Sequence, residues 1–196
     1  MSPLTVPLEP THQKRFESDF YVEGYATTFE PYVLFHDENG DPIYEQILPT
    51  AFGDCDMTDV IFQYDHVGKV FARNRNNTLL LEVHPESGLF IAGDLSKTTS
   101  SRLMYEDINT GLVDRMSWCF RPDYNTLEYN EETRTIIHHK IIKIYDVSAV
   151  SIPANDATEI SSRSLVDGEI EKVKQELLRR EHEKQKLLLK LKLGGI

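Results

Sequence analysis

A histidine, a serine and a carboxylate occur in an order and setting that could perform acyl transfer: His66 in Tyr64-Asp65-His66, Ser117 in Leu112 to Phe120, and Asp146 in Tyr145-Asp146-Val147-Ser148. A serine hydroxyl attacks a carbonyl only when a base takes its proton. An imidazole does so best when a carboxylate holds its tautomer and stabilises the imidazolium. The chain order His, Ser, acid differs from the three familiar serine-hydrolase orders, but the chemistry requires only that the groups meet in space. Asp146 stands out because Ile141, Ile142, Ile144, Val147 and Val150 surround it in sequence, and an unpaired charge among them would be costly.

Other residues compete for these roles. Asp65 adjoins His66 but points to the opposite face if the strand continues, which makes it a poor orienting group. His138 and His139 are alternatives for the third member, His138 sharing strand parity with Asp146. The seven histidines show no HExxH and no Cys/His pair with ligand spacing, so neither metal nor cofactor is expected. Cys119 has no histidine or cation near it in sequence to lower its pKa, and it reads as a packing thiol. Spacing alone also allows bland roles for all three: a small strand residue, an edge histidine and a surface carboxylate.

The elements that must position these groups are mainly strands. Phe20 to Phe29 is aromatic and β-branched, with Gly24 where another element might approach closely. Asp37-Glu38-Asn39-Gly40-Asp41-Pro42 is turn chemistry, followed by a return strand at Ile43 to Leu48. Val60 to Tyr64 is a short apolar run that places His66 at a strand end. Further strands are expected at Thr78 to His84 and Leu89 to Leu95. A helix capped by Thr99 or Ser100 carries Leu103, Met104, Ile108 and Leu112 at helical spacing and stops at Asn109-Thr110-Gly111. In the strand that follows, alternation puts Met116, Trp118 and Phe120 on one face and Arg115, Ser117 and Cys119 on the other. A hairpin through Asn125 to Thr133 leads into one long Ile-rich pattern from Arg134 through Ser151.

The 196 residues, 40% hydrophobic with nine Phe and nine Tyr, suffice for one domain with a real core. The formal charge of -11 is uneven. An acidic body up to residue 163 repels phosphate backbones, so no direct nucleic-acid binding is expected. Two cysteines without metal spacing suggest a reducing compartment. No stretch approaches the roughly 20 apolar residues of a membrane span, and no membrane association is expected. Residues 1–18, with three prolines, read as a flexible arm and 19–163 as the folded domain. Residues 164–196 read as a mildly basic helical tail in which Ile170, Val173, Leu177, Leu187 and Leu191 fit heptad positions that Arg180 and Lys184 interrupt.

Several of these segments together resemble the prohead (capsid maturation) serine proteases of tailed bacteriophages, distantly similar to the herpesvirus assemblin proteases. Glu23-Gly24-Tyr25-Ala26 is similar to the family's opening strand, Ile47 to Phe52 to the segment before the histidine, and Tyr64-Asp65-His66 to the histidine motif. Gly88 to Leu95 resembles the following hairpin, Thr110 to Phe120 the serine strand, and Asp146 to Asn155 the closing acidic segment. Asp146 stands where Glu is commoner, and Cys119 where Gly or Ala is usual. The resemblance implies an α+β fold, a small, mostly antiparallel β-barrel wrapped by a few helices, here with an extended C-terminal helix. It implies Ser117 as nucleophile, His66 as general base and Asp146 as orienting acid. The implied substrates are scaffold, or the scaffold-like segment of the major capsid protein, and the protease itself, with self-association as a further contact. The implied location is the assembling prohead in the host cytoplasm, and in that setting the composition and position of the tail suit a tether that binds scaffold and is cut away. Two other readings are a catalytically silent scaffold-binding assembly protein and a serine esterase that is not a peptidase.

Overall fold

The computed structural model describes residues 14–151 together with Gln175, Arg179, His182, Glu183 and Lys186. Residues 14–151 hold eleven strands and one α-helix. The strands are β1 (Tyr21–Thr27), β2 (Tyr32–His36), β3 (Pro42–Ile47), β4 (Ile61–Tyr64), β5 (Val67–Arg73), β6 (Leu79–His84) and β7 (Gly88–Asp94). Helix α1 (Thr99–Asn109) follows, then β8 (Arg115–Pro122), β9 (Leu127–Asn130), β10 (Thr135–His138) and β11 (Ile141–Val150). They form three sheets, ordered β1-β7-β6, β2-β3-β10-β9 and β5-β4-β11-β8. Pairing is antiparallel except for β3 with β10 and β4 with β11.

This corrects the expected architecture. Residues 14–151 are mostly β rather than α+β, with one α-helix where several were expected, and their sheets do not close into a barrel. Closure needs a continuous hydrogen-bonded ladder, whereas each sheet here ends in two edge strands. Where β1 meets β8 the contact is side-chain packing: a Cβ on Gly24 would lie 2.9 Å from Met116 Sδ. The expected extended C-terminal helix falls, apart from Gln175, Arg179, His182, Glu183 and Lys186, outside the described residues, as do the first thirteen residues of the expected arm.

The third sheet holds the serine strand, and its two faces differ. Val147 on β11 is in register with Phe62 on β4 and Trp118 on β8, an apolar row that faces the main core. Trp118 stacks on Phe120 at 4.2 Å and on Phe52 at 5.7 Å between ring centroids. One residue further along, Ser148 is in register with Gln63 and Ser117, a polar row on the opposite face.

Helix α1 sets where β8 begins. Thr98, one residue before the expected caps, accepts from the Ser101 N–H at 3.0 Å. At the other end Gly111 turns left-handed at φ 75°, with its N–H on the Ile108 carbonyl and the Leu112 N–H on the Asp107 carbonyl. This pair of bonds satisfies the last helical carbonyls and releases the chain toward Arg115. The Arg134 to Ser151 pattern is not one strand. It breaks at His139-Lys140, so β10 and β11 join different sheets and the parity of His138 with Asp146 has no structural meaning.

Asp94 ties the chain start to the end of β7. Its carboxylate accepts from Ser18 Oγ at 2.6 Å and the Ser96 N–H at 3.0 Å, and it pairs with Lys97 at 2.8 Å. Burial opposes the charge, but the bonds from Lys97, Ser18 and Ser96 outweigh it and hold the carboxyl well below the usual carboxylate range. Such a group contributes stability that is full above the unfolded-state carboxylate pKa and is lost as pH falls through the depressed native value. Asp94→Asn should therefore lower stability at pH 7 by about 1–3 kcal/mol and flatten its decline below about pH 4, measured by urea unfolding across pH. Gly111→Ala should cost about 1–2 kcal/mol in the same assay, because alanine is strained at that positive φ.

Candidate active site

His66 sits in a two-residue hairpin turn. Tyr64 and Val67 pair across it, and both central residues are left-handed, Asp65 at φ 47° and His66 at φ 56°. A turn of this hand matches the twist of the flanking strands but favours Asn and Gly at its centre. Asp and His tolerate left-handed backbone better than bulkier residues do. Asp65 is pinned outside the site: its N–H donates to the Ala149 carbonyl at 3.0 Å, and its carboxylate accepts from the Ser151 N–H at 3.0 Å and from Ser151 Oγ at 2.9 Å. The turn is thereby fastened to the end of β11.

That anchoring brings the His66 ring onto the polar face of the sheet. Its Nδ1 lies 2.5 Å from Asp146 Oδ1, and the two side chains are 1% and 6% exposed, so the pair is shielded from water. With Nδ1–H donating to the carboxylate, Nε2 of the neutral ring carries the free lone pair. Nε2 is buried without a hydrogen-bond partner.

Asp146 and Ser148 are two residues apart on β11 and share a face, as do Ser117 and Cys119 on β8. Ser148 is in register with Ser117 and Asp146 with Cys119, so the four share one side of the sheet. A bulge at Tyr145, between the Ile144 and Asp146 pairings, brings about this arrangement by letting Asp146 follow Ile144 in the ladder. Ser117 is buried, and its hydroxyl donates to the Trp118 carbonyl at 3.5 Å, at the outer limit of hydrogen bonding. No hydrogen bond joins Ser117 to His66.

The two alternative histidines lie elsewhere. His138 on β10 holds Glu45 through Nε2 at 2.7 Å, and Glu45 in turn accepts from the Tyr32 hydroxyl. His139 holds Glu128 at 2.7 Å on the surface. Burial pushes the Cys55 thiol up to about 11, helped by the neighbouring Asp56 charge, so it is protonated at neutral pH. Ser148 was not singled out by sequence reasoning, yet it is completely buried and donates to Asp146 Oδ1 at 2.8 Å. The signal available was its position two residues beyond a carboxylate on a strand, and so on the same face.

No helix among the described residues is long and apolar enough to cross a membrane. No curated protein and no solved structure matches the chain, so the likeness to the herpesvirus assemblins has no counterpart there. The family model of the caudovirus prohead serine proteases matches residues 9–176, spanning β1 to β11 and every residue of the site described above. The chain belongs to the caudovirus prohead serine protease family.

Proposed function

We propose that this chain is the endopeptidase of capsid maturation, with Ser117 as nucleophile, His66 as general base and acid, and Asp146 as the acid that orients the imidazole. Its substrates are scaffold, or the scaffold-like segment of the major capsid protein, and its own chain, cut inside the assembling prohead in the host cytoplasm. Membership of the family supports a serine peptidase acting in capsid maturation. The observation that carries the residue roles is the buried 2.5 Å contact between His66 Nδ1 and Asp146, on the sheet face that also holds Ser117.

The chemistry follows from that contact. Asp146 holds the proton on Nδ1, which leaves Nε2 as the base. The Ser117 hydroxyl gives up its long bond to the Trp118 carbonyl, a small loss, and donates to Nε2 as its oxygen attacks the scissile carbonyl. The imidazolium is stabilised by a carboxylate in a site with little water, where the attraction is less screened than at the surface. It then returns the proton to the leaving amine, and a water repeats the sequence to release the acyl group. His138 and His139 are left out of this scheme because each is engaged by a glutamate away from His66.

In cleavage of the cognate capsid or scaffold protein, followed by time-resolved gel densitometry, Ser117→Ala and His66→Ala should each lose about 10⁴ to 10⁶ in rate. Asp146→Asn should lose somewhat less, about 10⁴, because the tautomer is no longer held. His138→Ala and His139→Ala should retain cleavage. Full activity of Asp146→Asn with a dead His138→Ala or His139→Ala would transfer the third role to that histidine.

A further inference from the structure

We infer that Ser148 is a positioning residue for the reaction, the group that fixes the Asp146 carboxylate so that it can hold His66. The inference rests on the assignment of Ser117, His66 and Asp146 made above.

Ser148 Oγ lies 2.8 Å from Asp146 Oδ1, the same oxygen that His66 Nδ1 meets at 2.5 Å. An ionised carboxylate only accepts, so the serine hydroxyl is the donor. The carboxylate torsion of an aspartate is broad and roughly two-fold, so a single bond from a histidine on another strand leaves it loosely set. A second donor from β11 itself, two residues along the same face, removes that freedom. It also gives the charge a second hydrogen bond, which a buried carboxylate requires.

The hydroxyl is committed to this carboxylate. Ser148 is fully buried, and its neighbours across the sheet are Gln63 on β4 and Ser117 on β8. At Asp146 the position opposite on β8 is Cys119, a weak donor.

The test uses the full-length chain and a fluorophosphonate probe. Ser117 Oγ forms a bond to phosphorus, the P–F bond breaks, fluoride leaves and the proton passes to His66 Nε2, so the maximal labelling rate reports how well the base is held. Ser148→Ala and Ser148→Cys, the latter filling nearly the same space, should lower that rate by about 10- to 100-fold. The probe concentration for half-saturation should stay unchanged, while the melting temperature should fall by a few degrees because the buried carboxylate loses a donor, so labelling is read well below that transition, where both variants are folded. The low-field proton resonance of His66 Nδ1–H should shift or broaden in both variants. In an Asp146→Asn background, Ser148→Ala should cause no further loss, because the two act as one unit.

Labelling and resonance unchanged from wild type in both variants would overturn the inference, as would a loss of rate fully accounted for by the unfolded fraction at the assay temperature. If wild type labels at Ser117 and needs His66, failure of the Ser148 variants to differ removes this inference alone. If wild type does not label at Ser117, the nucleophile assignment falls and the positioning role falls with it.

Discussion

Asp146 places a carboxylate on an inner strand of a sheet, between Ile144 and Val147, both of which are fully buried. A charge there is tolerated only if hydrogen bonds replace the water it has lost. The chain meets that demand with two donors on one oxygen, His66 from the β4–β5 turn and Ser148 from β11. Much of the local architecture serves this arrangement. The parallel pairing of β4 with β11 brings the turn alongside, the bulge at Tyr145 sets Asp146 in register with Cys119, and the Asp65–Ser151 contacts fasten the turn to the strand end. Opposite this polar row, Phe62, Val147 and Trp118 bind the sheet to the core, so the site rests on rigid, well-packed strands.

The left-handed backbone at Asp65 and His66 is the local cost of the arrangement. Holding non-glycine residues there costs energy that persists only where the surroundings over-determine the conformation. The hydrogen bonds that tie Asp65 to Ala149 and Ser151 supply that determination. The second carboxylate–histidine pair, Glu45 with His138, is likewise buried and belongs to a different sheet. It meets the serine strand at Phe120, whose ring lies edge-to-face with that of His138 at 5.5 Å between centroids.

Individual elements were legible where local pattern decides them. The helix ending at Gly111 reads from Asn109-Thr110-Gly111 because left-handed backbone needs glycine, and the two faces of β8 read from strict alternation. The apolar residues around Asp146 signalled that the carboxylate needs a partner, since that argument depends only on the cost of burying charge. Other features depend on which strand pairs with which. The split of the Ile-rich stretch into β10 and β11, the strand at Val67–Arg73, and three open sheets in place of a barrel arise from long-range pairing, which leaves little periodic trace in sequence. Ser148 is not legible in the sequence for a related reason: what distinguishes it is the orientation of a hydroxyl toward Asp146, and a buried serine in a strand otherwise reads as a small filler.

The central claim is that the chain cuts proteins through Ser117, and intact-mass spectrometry of the wild type and Ser117→Ala tests it most directly. Each is incubated over time with the cognate capsid or scaffold protein. The account predicts discrete fragments of the partner, of the chain or of both from the wild type, and intact masses throughout with Ser117→Ala. Intact masses in both incubations, or the same fragments from both, would contradict it.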